Sequence, residues 1–347
     1  MKTASFQIPP GLFPVQHRFI DVDGANIHYV DEGSGETVLL LHGNPSWSFL
    51  YRKIIAGLQS SCRCVALDFP GYGLSDAPPG YGYTPREHSA LLERFVDRLG
   101  LTDLTMMVQD WGGPIGLDFA ERRPEVVGRL IIGNSFAWPL DDDWRVRMFS
   151  WVMGGPIGRT LTPAFNFVPK VFFFRGFARR PRPEVVAMYL APFQDPQRRI
   201  AAVIAPRQLI AASDYLRMIE ANLPKLKERP ALIVWGMKDF AFRDAARKRF
   251  EQAFPRHKKV ARGCGRANSG GDQSFPEREH MNGETLITAV DLRRRDLFSG
   301  LRNSGVKTKT VRISDHFLAP RPAGSAQDLI LQLPKENTSN TGTWSEP

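Results

Sequence analysis

The chain has 347 residues, 42% of them hydrophobic, three cysteines and a formal net charge of +10 at neutral pH. That length can bury one large core with an inserted subdomain, and the composition excludes a chain that is disordered throughout. No apolar run approaches the roughly 18 residues of a membrane-spanning helix, and prolines interrupt the N-terminal stretch where a signal peptide would be apolar, so a cytoplasmic protein without a membrane partner is expected.

Five short apolar runs ended by turn chemistry read as buried parallel strands: Thr37 to Leu41, Arg63 to Leu67, Leu104 to Val108, Leu130 to Ile132 and Ala231 to Trp235. Between the second and third, Pro85 to Leu99 carries Leu91, Leu92, Phe95, Val96 and Leu99 at helical spacing, with Thr84 and Pro85 as N-cap and first-turn residues. Strand and helix in alternation predict an α/β fold with a mostly parallel sheet, whose ligand site lies at the carboxyl ends of the strands. The core is expected over 1–137 and 224–260. From 138 to 223 the alternation stops and the sequence turns aromatic and irregular, with Trp138, Trp144, Trp151 and Phe172 to Phe174, which predicts a helical cap inserted between two strands. Packing of the cap on the core is expected to account for most of these aromatics.

The residues with chemistry follow the strands. Leu104 to Asp118 puts an apolar strand directly before Asp110, with Gly112 and Gly113 after it and helical sequence beyond, the layout of a nucleophile elbow. An aspartate here has a reference pKa of about 3.9, so it is expected to be an anion at neutral pH that attacks carbon without help from a base. His42, Gly43, Asn44 and Pro45 follow the first parallel strand, where such folds carry their oxyanion loop. The Asn44 amide and the Trp111 indole N–H are two neutral donors suited to a halide whose charge develops in the transition state. Asp68 to Asp76 reads as a structural Pro-Gly turn without chemistry. Cys62, Cys64 and Cys264 lack zinc spacing and read as free thiols, so no metal or cofactor is implied.

Gln109 to Pro114, His42 to Pro45, Asp68 to Asp76, Gly133 to Pro139 and Trp235 to Asp239 together resemble the signature stretches of the haloalkane dehalogenases, in the α/β-hydrolase superfamily, over residues 10–257. The resemblance implies hydrolytic dehalogenation of a small haloalkane to an alcohol and a halide. By it, Asp110 is the nucleophile, Asn44 and Trp111 hold the halide, and Asp239 orients a histidine base. The subgroup with a glutamate acid after the strand ending at Ile132 is excluded, because Asn134 and its neighbours offer none. An epoxide hydrolase of the same fold, using lid tyrosines such as Tyr189 and Tyr215, is the same-class alternative. A catalytically impaired hydrolase-like protein is the other.

The C-terminal part departs from the resemblance, which implies a strand and then a histidine near Ala267. Lys258 to Gln273 has neither a strand pattern nor a histidine. His257 reads as the end of the preceding helix, His280 lies in a polar stretch, and His316 comes far too late. From Arg256 to Pro347 there are 15 Lys and Arg against 10 Asp and Glu, a net of +5, and apolar periodicity is lost. We read 261–347 as an atypical segment, translated in a shifted frame relative to the family and poorly ordered; one encoding of Ser269, Gly270 and Gly271 reads Gln-Glu-Glu in the next frame. The net charge comes with no nucleic-acid motif, so no nucleic-acid partner is expected, and the protein is expected to be a monomer.

Overall fold

The computed structural model describes residues 6–177 and 181–262. Eight strands, β1 (His17–Val22), β2 (Ala25–Glu32), β3 (Glu36–Leu41), β4 (Cys62–Leu67), β5 (Leu104–Asp110), β6 (Val127–Ser135), β7 (Ala231–Gly236) and β8 (His257–Arg262), form one sheet in the order β1-β2-β4-β3-β5-β6-β7-β8. β1, β2 and β4 pair antiparallel, and every pair from β4 to β8 is parallel. The five expected strands are β3 to β7. Their successive side chains point to opposite faces, so Leu39, Leu41, Met106 and Val108 pack in one apolar layer while Val38, Leu40 and Met107 pack in the other. Each such buried side chain contributes roughly 1.5 to 3 kcal/mol. Cys62 and Cys64 are buried on β4 and are not disulfide-bonded.

Helices α1 (Arg52–Leu58), α2 (Pro85–Arg98) and α3 (Gly112–Arg122) connect the parallel strands. α2 begins as expected: Thr84 Oγ1 accepts from Glu87 N at 3.3 Å and Glu87 Oε2 accepts from Thr84 N at 2.9 Å, a complete capping box. Between β6 and β7 lie α4 (Trp144–Gly154), α5 (Pro156–Phe165), α6 (Phe167–Arg175), α7 (Pro183–Leu190), α8 (Ile200–Ala211) and α9 (Ser213–Asn222), and α10 (Asp244–Ala253) precedes β8. α4 lies so close to α8 that a Cβ at Gly154 would sit 2.4 Å from Arg207 N. The aromatics of this insertion meet the packing expectation in part. Trp138 is buried, and Phe172 and Phe173 pack against the core while lining a cavity, but Trp144, Trp151 and Phe174 face solvent.

Two further elements differ from the sequence reading. β1 and β2 form a hairpin whose turn, Asp23 and Gly24, has φ of 55° and 78°, the left-handed pair an Asp-Gly two-residue turn supplies. Residues 257–262, which looked too polar for a strand, pair with β7 in parallel register, from His257 opposite Ala231 to Arg262 opposite Gly236. Main-chain pairing at the margin of the sheet tolerates such lysines; Lys259 reaches Glu251 at 3.5 Å. His257 therefore opens β8 rather than ending a helix, with Nδ1 2.7 Å from Phe254 O. His280, His316, Cys264 and the shifted-frame reading lie outside the described residues.

Asp68, at the end of β4, ties the sheet to the loops above it. Its Oδ1 accepts from Ser48 N at 2.7 Å, and its Oδ2 from Leu74 N at 2.9 Å and from His28 Nδ1 at 2.7 Å. Burial pushes its pKa up, but the charge and hydrogen bond of His28 with the main-chain donor outweigh that, and the net shift is downward. A carboxylate with a lowered folded pKa stabilises above the unfolded value of about 3.9, and this is lost as the pH falls through the folded value. Asp68→Asn, which turns an amide donor onto Leu74 N–H or His28, should cost about 3 to 5 kcal/mol in urea unfolding at neutral pH, with the gap from wild type narrowing in acid.

Candidate active site

Asp110 ends β5 with φ of 51°, a left-handed backbone that carries a cost for a residue with a Cβ. The turn closes because its neighbours are small. A Cβ at Gly43 would lie 2.2 Å from Asp110 Oδ1, one at Gly112 2.3 Å from Leu41 O, and one at Gly113 1.8 Å from Ser135 Oγ. Ser135 Oγ donates to Asp110 O at 2.7 Å, and Asn44 N–H donates to Asp110 Oδ1 at 2.6 Å. Asp110 is thus presented at the carboxyl end of a central strand, gripped by the loop after β3.

Its electrostatics differ from the expectation of a carboxylate ionised without qualification at neutral pH. Burial pushes the Asp110 pKa up to about 7; hydrogen bonds from the Trp111 and Asn44 main chains oppose the rise, and the charge of Asp239 adds to it. The reference value of about 3.9 describes a carboxyl in water, and this one is desolvated.

Asn44 and Trp111 are both buried, and both line a cavity of about 310 Å³, its open mouth included, together with Tyr72 and His88. Asn44 also borders a second cavity of about 700 Å³, its open mouth included, whose wall holds Asp110 and Asp239 among Phe172, Phe173 and Phe242. The four expected site residues therefore converge, with Asn44 as the residue common to both spaces. Trp111 packs edge-on to Phe136, ring centroids 4.9 Å apart.

Asp239 follows β7. Its Oδ1 accepts from Ala241 N at 2.8 Å and Phe242 N at 3.0 Å, and its Oδ2 accepts from Asn134 Nδ2 at 3.1 Å. Burial holds its pKa above the ordinary range. Asn134 also exchanges two hydrogen bonds with Gly236, donating at 3.1 Å and accepting at 2.8 Å, which clamps the ends of β6 and β7. The sequence reading used Asn134 only to exclude a glutamate; its role in holding Asp239 needs the register of two strands distant in sequence.

Tyr72 is the second residue missed, since the Asp68 to Asp76 turn was assigned no chemistry. Its hydroxyl donates to Asn44 Oδ1 at 3.1 Å and lies 3.2 Å from Ala201 O on α8. With its oxygen so occupied, the Asn44 carboxamide has its amino group left to donate. An aromatic hydroxyl in a turn gives no local sign of such a partner.

The described histidines are committed elsewhere. His42 Nε2 accepts from Phe69 N at 3.0 Å while Nδ1 lies 2.9 Å from Gly43 O. His17 and His28 stand in line with Asp68, and His88 Nδ1 meets the Tyr81 hydroxyl at 2.9 Å, with burial pushing its pKa down to about 3. His257 lies at the amino end of β8, five residues at about 3.3 Å each from the rim where Asp239 sits. Among the described residues no cluster of His, Cys, Asp and Glu is arranged to hold a metal ion, and no helix is long and apolar enough to cross a membrane.

The family profile of the alpha/beta hydrolase fold matches residues 36–269. Haloalkane dehalogenase 2 of Mycobacterium tuberculosis is 40% identical over 254 residues, covering 73% of this chain and 88% of that protein. A cis-3-alkyl-4-alkyloxetan-2-one decarboxylase of Shewanella oneidensis is 36% identical over 245 residues, covering 67% and 76%. Among solved structures, the haloalkane dehalogenase DatA of Agrobacterium tumefaciens superposes with a TM-score of 0.67 at 25% identity, covering 80% of this chain and 95% of that one. The haloalkane dehalogenase DbeA of Bradyrhizobium, at 24% identity and a TM-score of 0.71, shares the fold. The strained aspartate elbow, the sheet order and these relatives agree: the chain belongs to the α/β-hydrolase family, among the haloalkane dehalogenases.

Proposed function

We propose that the protein displaces halide from small haloalkanes by attack of Asp110 on the carbon that bears it, forming an alkyl ester whose hydrolysis yields the alcohol. The observation that carries this is the grip on the carboxylate. Asn44 N–H holds Oδ1, which leaves Oδ2 as the attacking oxygen and Oδ1 as the carbonyl oxygen of the ester, where the same N–H meets the oxyanion of the hydrolytic step. The Asn44 amino group and the Trp111 indole are the donors for the departing halide. The apolar wall of Phe172, Phe173 and Phe242 suits an uncharged alkyl chain. Only the hydrolytic half needs a base, and Asp239 is the acid that would orient it.

The epoxide hydrolase reading is less favoured. Of the two tyrosines it would use, only Tyr189 lines the Asp110 cavity, where its hydroxyl accepts from Arg52 Nη1 at 3.2 Å, whereas Tyr215 is buried against Asp118 and Arg86. A β-lactone reading has one observation behind it. Attack on an oxetan-2-one carbon, followed by loss of carbon dioxide with expulsion of the Asp110 carboxylate, gives an alkene without water or a base, and no described histidine reaches Asp110.

A dibromoalkane, run beside styrene oxide, separates dehalogenation from epoxide opening. Bromide release with a matching alkyl adduct on the Asp110 peptide, abolished in Asp110→Asn, is expected from mass spectrometry; diol from styrene oxide without bromide release would reject dehalogenation. One bromide per chain would mean that no base acts, and many would mean that a histidine beyond residue 262 serves, so this count also tests the shifted-frame reading of the tail, as does sequencing the gene. Because the nucleophile must be ionised, the single-turnover rate of bromide release should rise with pH through about 7 and then level off; a rate already flat from about two units below that point would refute the raised carboxyl pKa. Tyr72→Phe should leave the fold intact yet weaken chloride binding, read from quenching of tryptophan fluorescence, and slow bromide release by about tenfold, against roughly a hundredfold or more for Asn44→Ala.

A further inference from the structure

The cap carries a surface that catalysis does not use. In α4, Trp144, Met148 and Trp151 recur at spacings of four and three and so share one face, and they are 65%, 53% and 57% exposed. The opposite side of the helix buries Ser150, Met153 and Gly154 towards α8. An amphipathic helix on a protein surface ordinarily turns its large apolar side chains inward; α4 turns two tryptophans and a methionine outward, with exposed Arg145 and Arg147 among them. The Arg145 guanidinium lies 5.5 Å from the Trp144 ring.

The stretch of sequence that begins with this face is basic. Residues 144–183 contain eight Lys and Arg and no Asp or Glu, so these 40 residues hold +8 of the +10 net charge. The C-terminal quarter, with its +5, has less net charge per residue. The acidic residues just before α4 are largely engaged: Asp141 pairs with Arg217 at 2.6 Å and Asp143 caps the helix by accepting from Arg145 N at 2.9 Å, while Asp142 stays exposed.

We propose that the α4 face docks on an anionic membrane surface, with Trp144, Met148 and Trp151 inserted at the headgroup boundary and Arg145 and Arg147 on the lipid phosphates. Tryptophan and arginine on one face of a helix too short to span a bilayer are the chemistry of interfacial binding. Charge complementarity selects this occupant. A second copy docking through the same face would bring like charge against it, and residues 263–347, with 11 basic against 10 acidic side chains, offer no net opposing charge. The expectation of no membrane partner rested on the lack of a spanning segment, which does not bear on surface binding. The consequence for catalysis is position: Phe173 and Phe177 line both the Asp110 cavity and an outer groove of the cap, formed with Lys170 and Phe174, so the same subdomain that meets lipid walls the site.

The test is co-sedimentation of the full chain with vesicles of phosphatidylcholine alone and of phosphatidylcholine mixed with phosphatidylglycerol. Binding is expected to the anionic vesicles only, with a blue shift of tryptophan emission and release by salt. The Trp144→Ser, Trp151→Ser double variant and, separately, the Arg145→Glu, Arg147→Glu double variant should each weaken partitioning by about tenfold or more, with unfolding midpoints and bromide release in solution unchanged. Equal binding to neutral vesicles, anionic binding unaffected by either double variant, or no binding to any vesicle would overturn the proposal. So would a concentration-dependent dimer that is lost in the tryptophan variant without any vesicle binding, since it would assign the face to a second copy.

Discussion

The left-handed backbone at Asp110 is the constraint around which the site is arranged. A residue with a Cβ holds φ of 51° only where its surroundings leave no alternative, and here they consist of Gly43, Gly112 and Gly113, each without room for a side-chain carbon. The strain turns the carboxyl out of the sheet and into the reach of the Asn44 N–H. From this come the desolvation that raises its pKa and the shared wall with Asp239. Loosening any of those glycines would let the aspartate relax into an ordinary strand end.

The surrounding polar groups hold the site's parts in register rather than react. Asn134 ties the ends of β6 and β7 and receives Asp239 on its amide; Tyr72 takes the oxygen of Asn44; Asp68 anchors the loop that carries Tyr72. Each of these buried groups is matched to a main-chain or side-chain partner, so loss of one leaves another unsatisfied in a low-dielectric interior.

Much of the fold was legible in local sequence, because both-face burial writes β3 to β7 as continuous apolar runs and the Thr84 to Glu87 box writes the start of α2. The β1-β2 hairpin carried a readable Asp-Gly turn that a search for buried parallel strands passes over. β8 was illegible for a physical reason: its pairing depends on main-chain hydrogen bonds to β7, which polar side chains do not betray. At the site, the glycines after Asp110 mark it as a candidate in the local sequence, whereas Asp239 becomes one only through the family resemblance. Asn134 and Tyr72 instead depend on partners 105 and 28 residues away, which no local pattern encodes. The pKa of Asp110 was misjudged because residue type reports the solvated value and burial sets the actual one.

The parallel register of β8 carries one more consequence. Arg262 is level with Gly236, so β8 ends at the same edge of the sheet from which Asp239 projects. Every group assigned here to halide displacement lies upstream of that peptide bond, and only the hydrolytic base would come from the residues downstream. On the proposed reading, scaffold and nucleophile lie before that point and turnover after it, and a change of reading frame there would convert a catalyst into a single-use alkyl acceptor without disturbing the strands already laid down.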